Sequence, residues 1–184
     1  MAHSKEYLTE LEKLHSKKTF GTAGSIPTVV KELLDLNKIT SVLDYGAGKG
    51  NTTAAFKNQY SNLVVYSFDP VTFPNPLPES VDLVYSSDVL EHVEPELIDD
   101  TLNDLCRIAT KYQYHLIACH PAKKSLSDGR NAHLIIESPN WWKQKITALS
   151  GWKIVSEDII EYTSIVKKGP PLNVTKYVVI LVKE

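Results

Sequence analysis

The sequence predicts a single α/β domain in which helices cover both faces of a mostly parallel sheet, with an antiparallel last strand. Three observations predict this doubly wound arrangement. Apolar runs of strand length alternate with segments of helical periodicity. Gly46, Gly48 and Gly50 lie between an apolar run and a helix-compatible segment, as in a strand–turn–helix unit. Two strand-like segments end the chain with no crossover helix between them, which requires an antiparallel pair.

Length and charge limit the kind of protein. The 184 residues suit one domain, with residues 1–38 as an N-terminal helical addition and residues 39–184 as the core. The formal net charge of −2 gives no global basic field, so no extended nucleic-acid surface is expected. The chain carries no secretory-type apolar segment and no run of membrane-spanning length, so we expect a cytoplasmic location without a membrane partner.

Helical spacing of apolar residues predicts five helices. The first, over residues 4–18, has a charged outer face, and the second follows a cap at Ser25 with Pro27 in its first turn and ends at Asn37. The others cover residues 51–60, a segment starting at Pro95, and a segment capped by Ser138 that ends at Gly151. Whether the first two helices cover a ligand cleft or simply pack on the sheet stays open.

Six apolar runs are predicted as strands: residues 41–44, 63–68, 81–85, 114–119, 152–162 and 173–183. The run over residues 63–68 is typical of a strand covered on both faces. Four prolines between residues 69 and 80 exclude a helix there, and leave at most a short strand over residues 71–73. A loop containing two lysines and two prolines joins the last two strands.

The glycine-rich turn indicates a small-ligand site. Glycines permit a sharp turn and close approach to a ligand, and the following helix N-terminus adds unpaired N–H groups. A dinucleotide fingerprint requires a third glycine at the position of Asn51. Asp44 before the turn would also repel a pyrophosphate, whereas it suits a ligand with an amino group or a sulfonium.

The pattern Asp44-x-Gly46-x-Gly48-x-Gly50 resembles motif I of the class I S-adenosylmethionine (SAM)-dependent methyltransferases, which have a Rossmann-like fold. Two later segments, 66–70 with Asp69 and 80–93 with its Asp-Val-Leu-Glu-His-Val run, resemble that family's next motifs in the same order. The resemblance implies SAM as cofactor, held by the following residues: Asp44, Gly46, Ala47, Gly48, Gly50, Asp69, Pro70, Ser87, Asp88 and Val89. In it, Asp69 takes the ribose hydroxyls. The missing helix after Asp69 leaves the family's adenine-binding acid unidentified.

The implied activity is methyl transfer to an oxygen or nitrogen of a small-molecule acceptor, such as a sugar, nucleotide or metabolite. Two alternatives stay open: an NAD-dependent oxidoreductase, against which Asn51 argues, and a non-catalytic subunit with the same fold. The intact residues Asp44, Gly46, Gly48 and Asp69 argue against a degenerate subunit.

The loop over residues 120–137 is expected at the carboxyl edge of the sheet, over the methyl group, because it follows the strand predicted to end near Cys119. Loops of this length are commonly functional. This loop offers Asp128, Arg130, Asn131 and His133 to an acceptor. His133 is the candidate base, because an imidazole titrates near neutral pH. His92 is interpreted as a structural histidine. No tight cluster of His, Cys and carboxylate residues is visible, so no metal is expected.

Overall fold

The computed structural model describes residues 3–165 and 171–184. Most of the predicted loop between the last two strands, residues 167–170, lies outside these ranges. None of the helices within the described residues is long and apolar enough to cross a membrane.

The described residues form a six-stranded sheet in the order β2-β1-β3-β4-β6-β5. Its strands are β1 (Ser41–Tyr45), β2 (Val64–Phe68), β3 (Val81–Ser87), β4 (Ala109–Ala118), β5 (Trp152–Ser164) and β6 (Leu172–Lys183). The first four strands pair in parallel, whereas β6 pairs antiparallel with both β4 and β5. This topology confirms the predicted fold class. It also places the ends of β1, β2 and β3 at one edge of the sheet.

Five α-helices accompany the sheet: α1 (Lys5–His15), α2 (Thr28–Leu36), α3 (Asn51–Gln59), α4 (Ile98–Ile108) and α5 (Pro139–Thr147). Neighbouring strand residues point to opposite faces, so Val42 and Leu43 belong to different core clusters. The Val42 cluster includes residues of α2 and α3, and the Leu43 cluster includes residues of α4 and α5. Helices therefore cover both faces, as predicted.

The prediction for β2 is wrong in one respect. Val64 and Tyr66 are 52% and 42% exposed and belong to none of the apolar clusters of the described residues, so this face of the edge strand β2 is left uncovered. Residues 70–79, all within the described chain, form no helix, which confirms the proline argument. The possible third strand is reduced to an isolated bridge between Asp69 and Phe73.

Two predicted helix ends also differ. Ser25 does not cap α2; Pro27 holds the cap position without a side-chain hydrogen bond. A residue before proline is disfavoured in the helical region, so the helix cannot extend back through Ile26. Helix α5 ends at Thr147, and Gly151, with a φ of 75°, belongs to the turn after it.

The N-terminal helix α1 packs on the long loop rather than on the sheet. Tyr7, Leu11 and Leu14 form a separate apolar cluster with Leu126 and Ala132 of that loop. Ser4 caps α1 and accepts a hydrogen bond from the backbone N–H of Tyr7. The two N-terminal helices thus have different roles: α2 packs on the sheet, and α1 lies against the loop.

Candidate active site

A first cavity of about 260 Å³ opens where β1, β2 and β3 end. This volume is close to the lower end of the range for small-ligand sites, roughly 300–1,000 Å³. The cavity is lined by nine of the ten residues predicted for the cofactor: Asp44, Gly46, Ala47, Gly48, Asp69, Pro70, Ser87, Asp88 and Val89. Gly50, the tenth, is instead the N-cap residue of α3, and a Cβ there would lie 2.9 Å from the Phe73 ring.

The glycine turn is held tightly by its protein neighbours. Gly46 has a φ of 78°, and a Cβ atom added to it would lie 2.3 Å from a methyl carbon of Val89. A Cβ added to Gly48, whose φ is 54°, would lie 2.7 Å from the backbone oxygen of Gly21. Both positions require glycine because of the left-handed backbone and because of the close approach of two other segments.

Asp44 is a buried carboxylate at the end of the cavity near α3. It accepts a hydrogen bond of 2.6 Å from the Thr53 hydroxyl. Desolvation raises the pKa of Asp44 to about 6. A cationic group beside it would favour the charged form, so the position suits an ammonium or a sulfonium.

Asp69 is also buried, and backbone N–H groups hold its carboxylate in place. One oxygen accepts from Val71 and Thr72 at 2.9 and 3.0 Å, and the other accepts from Gly48 at 3.1 Å. The second oxygen keeps capacity for further donors. The His15 Nε2 atom lies 3.7 Å from it, and the His15 Nδ1 atom is buried without a hydrogen-bond partner among the described residues. This orphaned polar atom belongs to a residue that lines the cavity.

Helix α1 and the residue before its cap cover the first cavity. The lining residues from this segment are His3, Tyr7, Leu11 and His15. The Tyr7 hydroxyl donates to the backbone oxygen of His92, and the Ser4 N–H and hydroxyl donate to the Glu94 carboxylate. The sequence shows that α1 is amphipathic, but it does not show which site the buried face covers. These residues were therefore not predicted.

A second cavity of about 300 Å³ adjoins the first and shares Phe20, Asp88 and His92 with it. Its polar wall carries several basic groups: His120, Lys123, Lys124, His133 and Lys176. Lys176 forms an ion pair with Asp88 at 2.7 Å, so one of these charges is already neutralised. The shared wall makes His92 and Asp88 accessible from both sides.

Only one of the four predicted acceptor residues lines the second cavity. His133 lies there, whereas Asp128, Arg130 and Asn131 line neither cavity. Asp128 pairs with Arg130 at 2.7 Å, and Asn131 bonds the backbone of Ala122. These three residues therefore stabilise the loop, because their charges and hydrogen-bonding groups are paired within it.

Two of the three histidines that line the second cavity, His92 and His133, are held in defined tautomers. His92 Nδ1 donates to the Ala132 carbonyl, and His133 Nδ1 donates to the His120 carbonyl, both at 2.6 Å. Desolvation lowers the pKa of His92 to about 4 and also lowers the pKa of His133. Both imidazoles are therefore neutral at physiological pH, with the Nε2 lone pair available.

No protein-family model and no curated protein matches the sequence. Solved structures do match. The 1,6-didemethyltoxoflavin-N1-methyltransferase of Burkholderia thailandensis, determined with 1,6-didemethyltoxoflavin and S-adenosylhomocysteine, has a TM-score of 0.63 at 15% identity. That match covers 100% of this chain and 91% of the other.

Two further solved structures also match this chain. TehB from Haemophilus influenzae has a TM-score of 0.59 at 11% identity, and the match covers 91% of this chain. This chain spans only 65% of the length of TehB. The mitomycin 7-O-methyltransferase MmcR has a TM-score of 0.51 at 12% identity, with 97% of this chain and 54% of the other covered. The chain therefore has the fold of the class I SAM-dependent methyltransferases.

Proposed function

We propose that this chain is a SAM-dependent methyltransferase that acts on an oxygen or nitrogen atom of a small molecule. The donor would bind in the first cavity and the acceptor in the second. The observation that carries the proposal is the wall that the two cavities share at Phe20, Asp88 and His92. Methyl transfer requires donor and acceptor in contact and aligned, and two adjoining cavities supply that arrangement.

The residues of the first cavity fit SAM. Asp44 would face its cationic methionine end, and Asp69 has an oxygen with free capacity for the ribose hydroxyls. The unpartnered Nδ1 atom of His15 would gain a partner from a bound ligand. When bound, SAM supplies a methyl group on a sulfonium; the acceptor lone pair forms the new bond, and the carbon–sulfur electron pair stays on sulfur.

The chain itself would position the acceptor, exclude water and take up a proton. Helix α1 covers the donor cavity, held by Tyr7 on the backbone of His92. His133 remains our candidate base, and His92 becomes a second candidate because it lines both cavities. Either neutral Nε2 atom can accept the acceptor proton, a role that contributes roughly 10²–10⁴-fold.

The second cavity favours an acceptor with an anionic group. Lys123 and Lys124 line it, and their hydrogen bonds go to neutral oxygens of Ser164 and Thr19. A phosphate or carboxylate would provide the opposite charge. The proposed unit is one domain of residues 1–184 in which the N-terminal addition forms part of the site.

Calorimetric titration with SAM, S-adenosylhomocysteine and NADH tests the donor assignment. The expected result is micromolar binding of the first two ligands and no binding of NADH. Preferential binding of NADH would support the oxidoreductase alternative and overturn the proposal. A labelled-methyl screen of nucleotides, sugars, carboxylates and phosphorylated metabolites then tests catalysis. Tight SAM binding without transfer to any acceptor or to a cell extract would favour the non-catalytic subunit.

A further inference from the structure

Three potential ligand groups meet beside the second cavity. They are the carboxylate of Glu91 and the imidazoles of His92 and His133, and one potential metal-ligand atom from each lies within 4.8 Å of the others. Glu91 and His92 belong to the 3₁₀ turn after β3, and His133 belongs to the long loop. Glu91 and His92 are neighbours in the chain, and tertiary packing brings His133 to them.

The Glu91 carboxylate is fully buried, and neither oxygen has a hydrogen-bond partner among the described residues. The backbone amides of Glu91 and Ala118 lie near enough to favour its charge, but neither meets the geometry of a hydrogen bond to it. A buried carboxylate without a donor is costly unless it is protonated, paired with a cation or bound to a metal. The group therefore needs a proton or a cation.

The neighbouring imidazoles of His92 and His133 supply neither a proton nor a positive charge to Glu91. Each donates its Nδ1–H to a backbone carbonyl oxygen, so the other ring nitrogen, Nε2, carries a lone pair and no hydrogen. The His133 Nε2 atom is 4.0 Å from the nearest Glu91 oxygen, too far for a hydrogen bond from a protonated carboxyl group. A proton on the Glu91 carboxyl group would therefore find no acceptor on His133, whereas one cation could contact all three groups.

We propose that Glu91, His92 and His133 bind one divalent transition-metal ion, such as Zn²⁺, through the carboxylate and the two Nε2 atoms. Two imidazoles and one carboxylate form a ligand set that such ions accept with open coordination positions. The backbone carbonyls of Ala132 and His120 act as the outer partners that orient ligating histidines. Ligand atoms around Zn²⁺ lie about 3.4 Å apart, so the side chains would close by roughly 1 Å.

The open positions of the ion would face the second cavity, because His92 and His133 both line it. A bound ion would occupy both Nε2 lone pairs, so His92 and His133 are candidate bases only in the metal-free chain. Only this placement beside an acceptor depends on the proposed function. Ion binding itself does not, so it is measured without SAM or acceptor, and its failure would leave the methyltransferase proposal standing.

The test is calorimetric titration of the chelator-treated chain of residues 1–184 with ZnCl₂, MnCl₂ and MgCl₂, with the bound metal counted by elemental analysis after gel filtration. We expect one Zn²⁺ per chain, weaker Mn²⁺ and no measurable Mg²⁺, following the preference of imidazole ligands. Bound Zn²⁺ should also raise the melting temperature, because it binds only the folded site.

Glu91→Gln and His133→Asn should each weaken Zn²⁺ binding at least tenfold and abolish the thermal shift. Asp128→Asn is the matched control: Asp128 lies on the same loop as His133, but its carboxylate pairs with Arg130 and it lies outside the cluster. Circular dichroism verifies that each variant folds. If one variant does not fold, the Zn²⁺ affinity of the other tests the proposal. Absence of Zn²⁺ binding by the wild type, or equal affinity in both folded variants, would overturn the proposal.

Discussion

Replacing Asp69 by asparagine provides the sharpest test of the donor site. Asparagine keeps one acceptor oxygen, which can still take the N–H groups of Val71 and Thr72. Its amide nitrogen replaces the oxygen that accepts from Gly48 and that we assign to the ribose. The substitution therefore removes a charge-assisted hydrogen bond to the ligand but retains the local turn. Such bonds contribute about 1.5–3 kcal/mol.

That loss corresponds to a rise in the dissociation constant for SAM of about 10- to 150-fold. Calorimetric titration of wild type and Asp69→Asn at one pH measures it directly. Asp82→Asn is the matched control. Asp82 also holds backbone and side-chain groups, those of Thr40, but it lies at the opposite end of the sheet. Its loss should lower stability and leave SAM affinity unchanged.

Equal SAM affinity in folded Asp69→Asn and in the wild type would refute the ribose assignment. An equal loss of SAM affinity in Asp82→Asn would also refute it, because the effect would then reflect general destabilisation. Urea unfolding of both variants separates affinity from stability. Asp69→Asn is expected to lower the free energy of unfolding by about 1–3 kcal/mol, because it leaves the buried N–H of Gly48 facing an amide NH2 group. A smaller loss is expected for Asp82→Asn, because its hydrogen bonds to Thr40 are exposed.

Three further predictions concern packing and pH. Gly46→Ala should lower the free energy of unfolding by about 1–3 kcal/mol more than Gly151→Ala, because both positions have a positive φ but only Gly46 meets another side chain, Val89; equal losses in urea unfolding would refute the clash. Because the pKa of Asp44 is raised from 3.8 to about 6, its contribution to stability declines as pH rises through 6, while SAM binding should strengthen over the same rise. Titrations from pH 5 to 8 should show that Asp44→Asn loses this dependence of affinity. Burial lowers the pKa of His115 to about 4 from 6.5, so its contribution to stability is complete above 6.5 and is lost as pH falls towards 4; His115→Gln should flatten the stability profile in that window.

The sheet, the glycine turn and the residues of the first cavity could be predicted from local patterns in the sequence. Gly46, Gly48 and Asp44 are near neighbours in the chain, so their spacing alone predicts where they lie relative to the first strand. Asp69 and Asp88 follow other apolar runs, and the carboxyl ends of parallel strands meet at one edge. The proline segment after Asp69 excluded a helix for an equally local reason, the missing N–H groups.

The same local patterns misjudged positions that depend on distant partners. Asp128 and Arg130 have the chemistry of an acceptor site, but they pair with each other in the loop. Val64 and Tyr66 are apolar enough for a covered strand, yet no neighbouring element covers them. Composition does not show which charges will meet or which face will be left without a partner.

Only the tertiary structure decided what surrounds the shared wall of the two cavities. The cover formed by α1 depends on contacts such as that of Tyr7 with the backbone of His92, and no spacing rule encodes such a contact. The Glu91, His92 and His133 cluster was not expected, because His133 comes from a distant loop and the tight ligand spacing of a metal motif is missing. Burial, which makes the Glu91 carboxylate require a proton or a cation, is a property of the whole packed chain rather than of any segment.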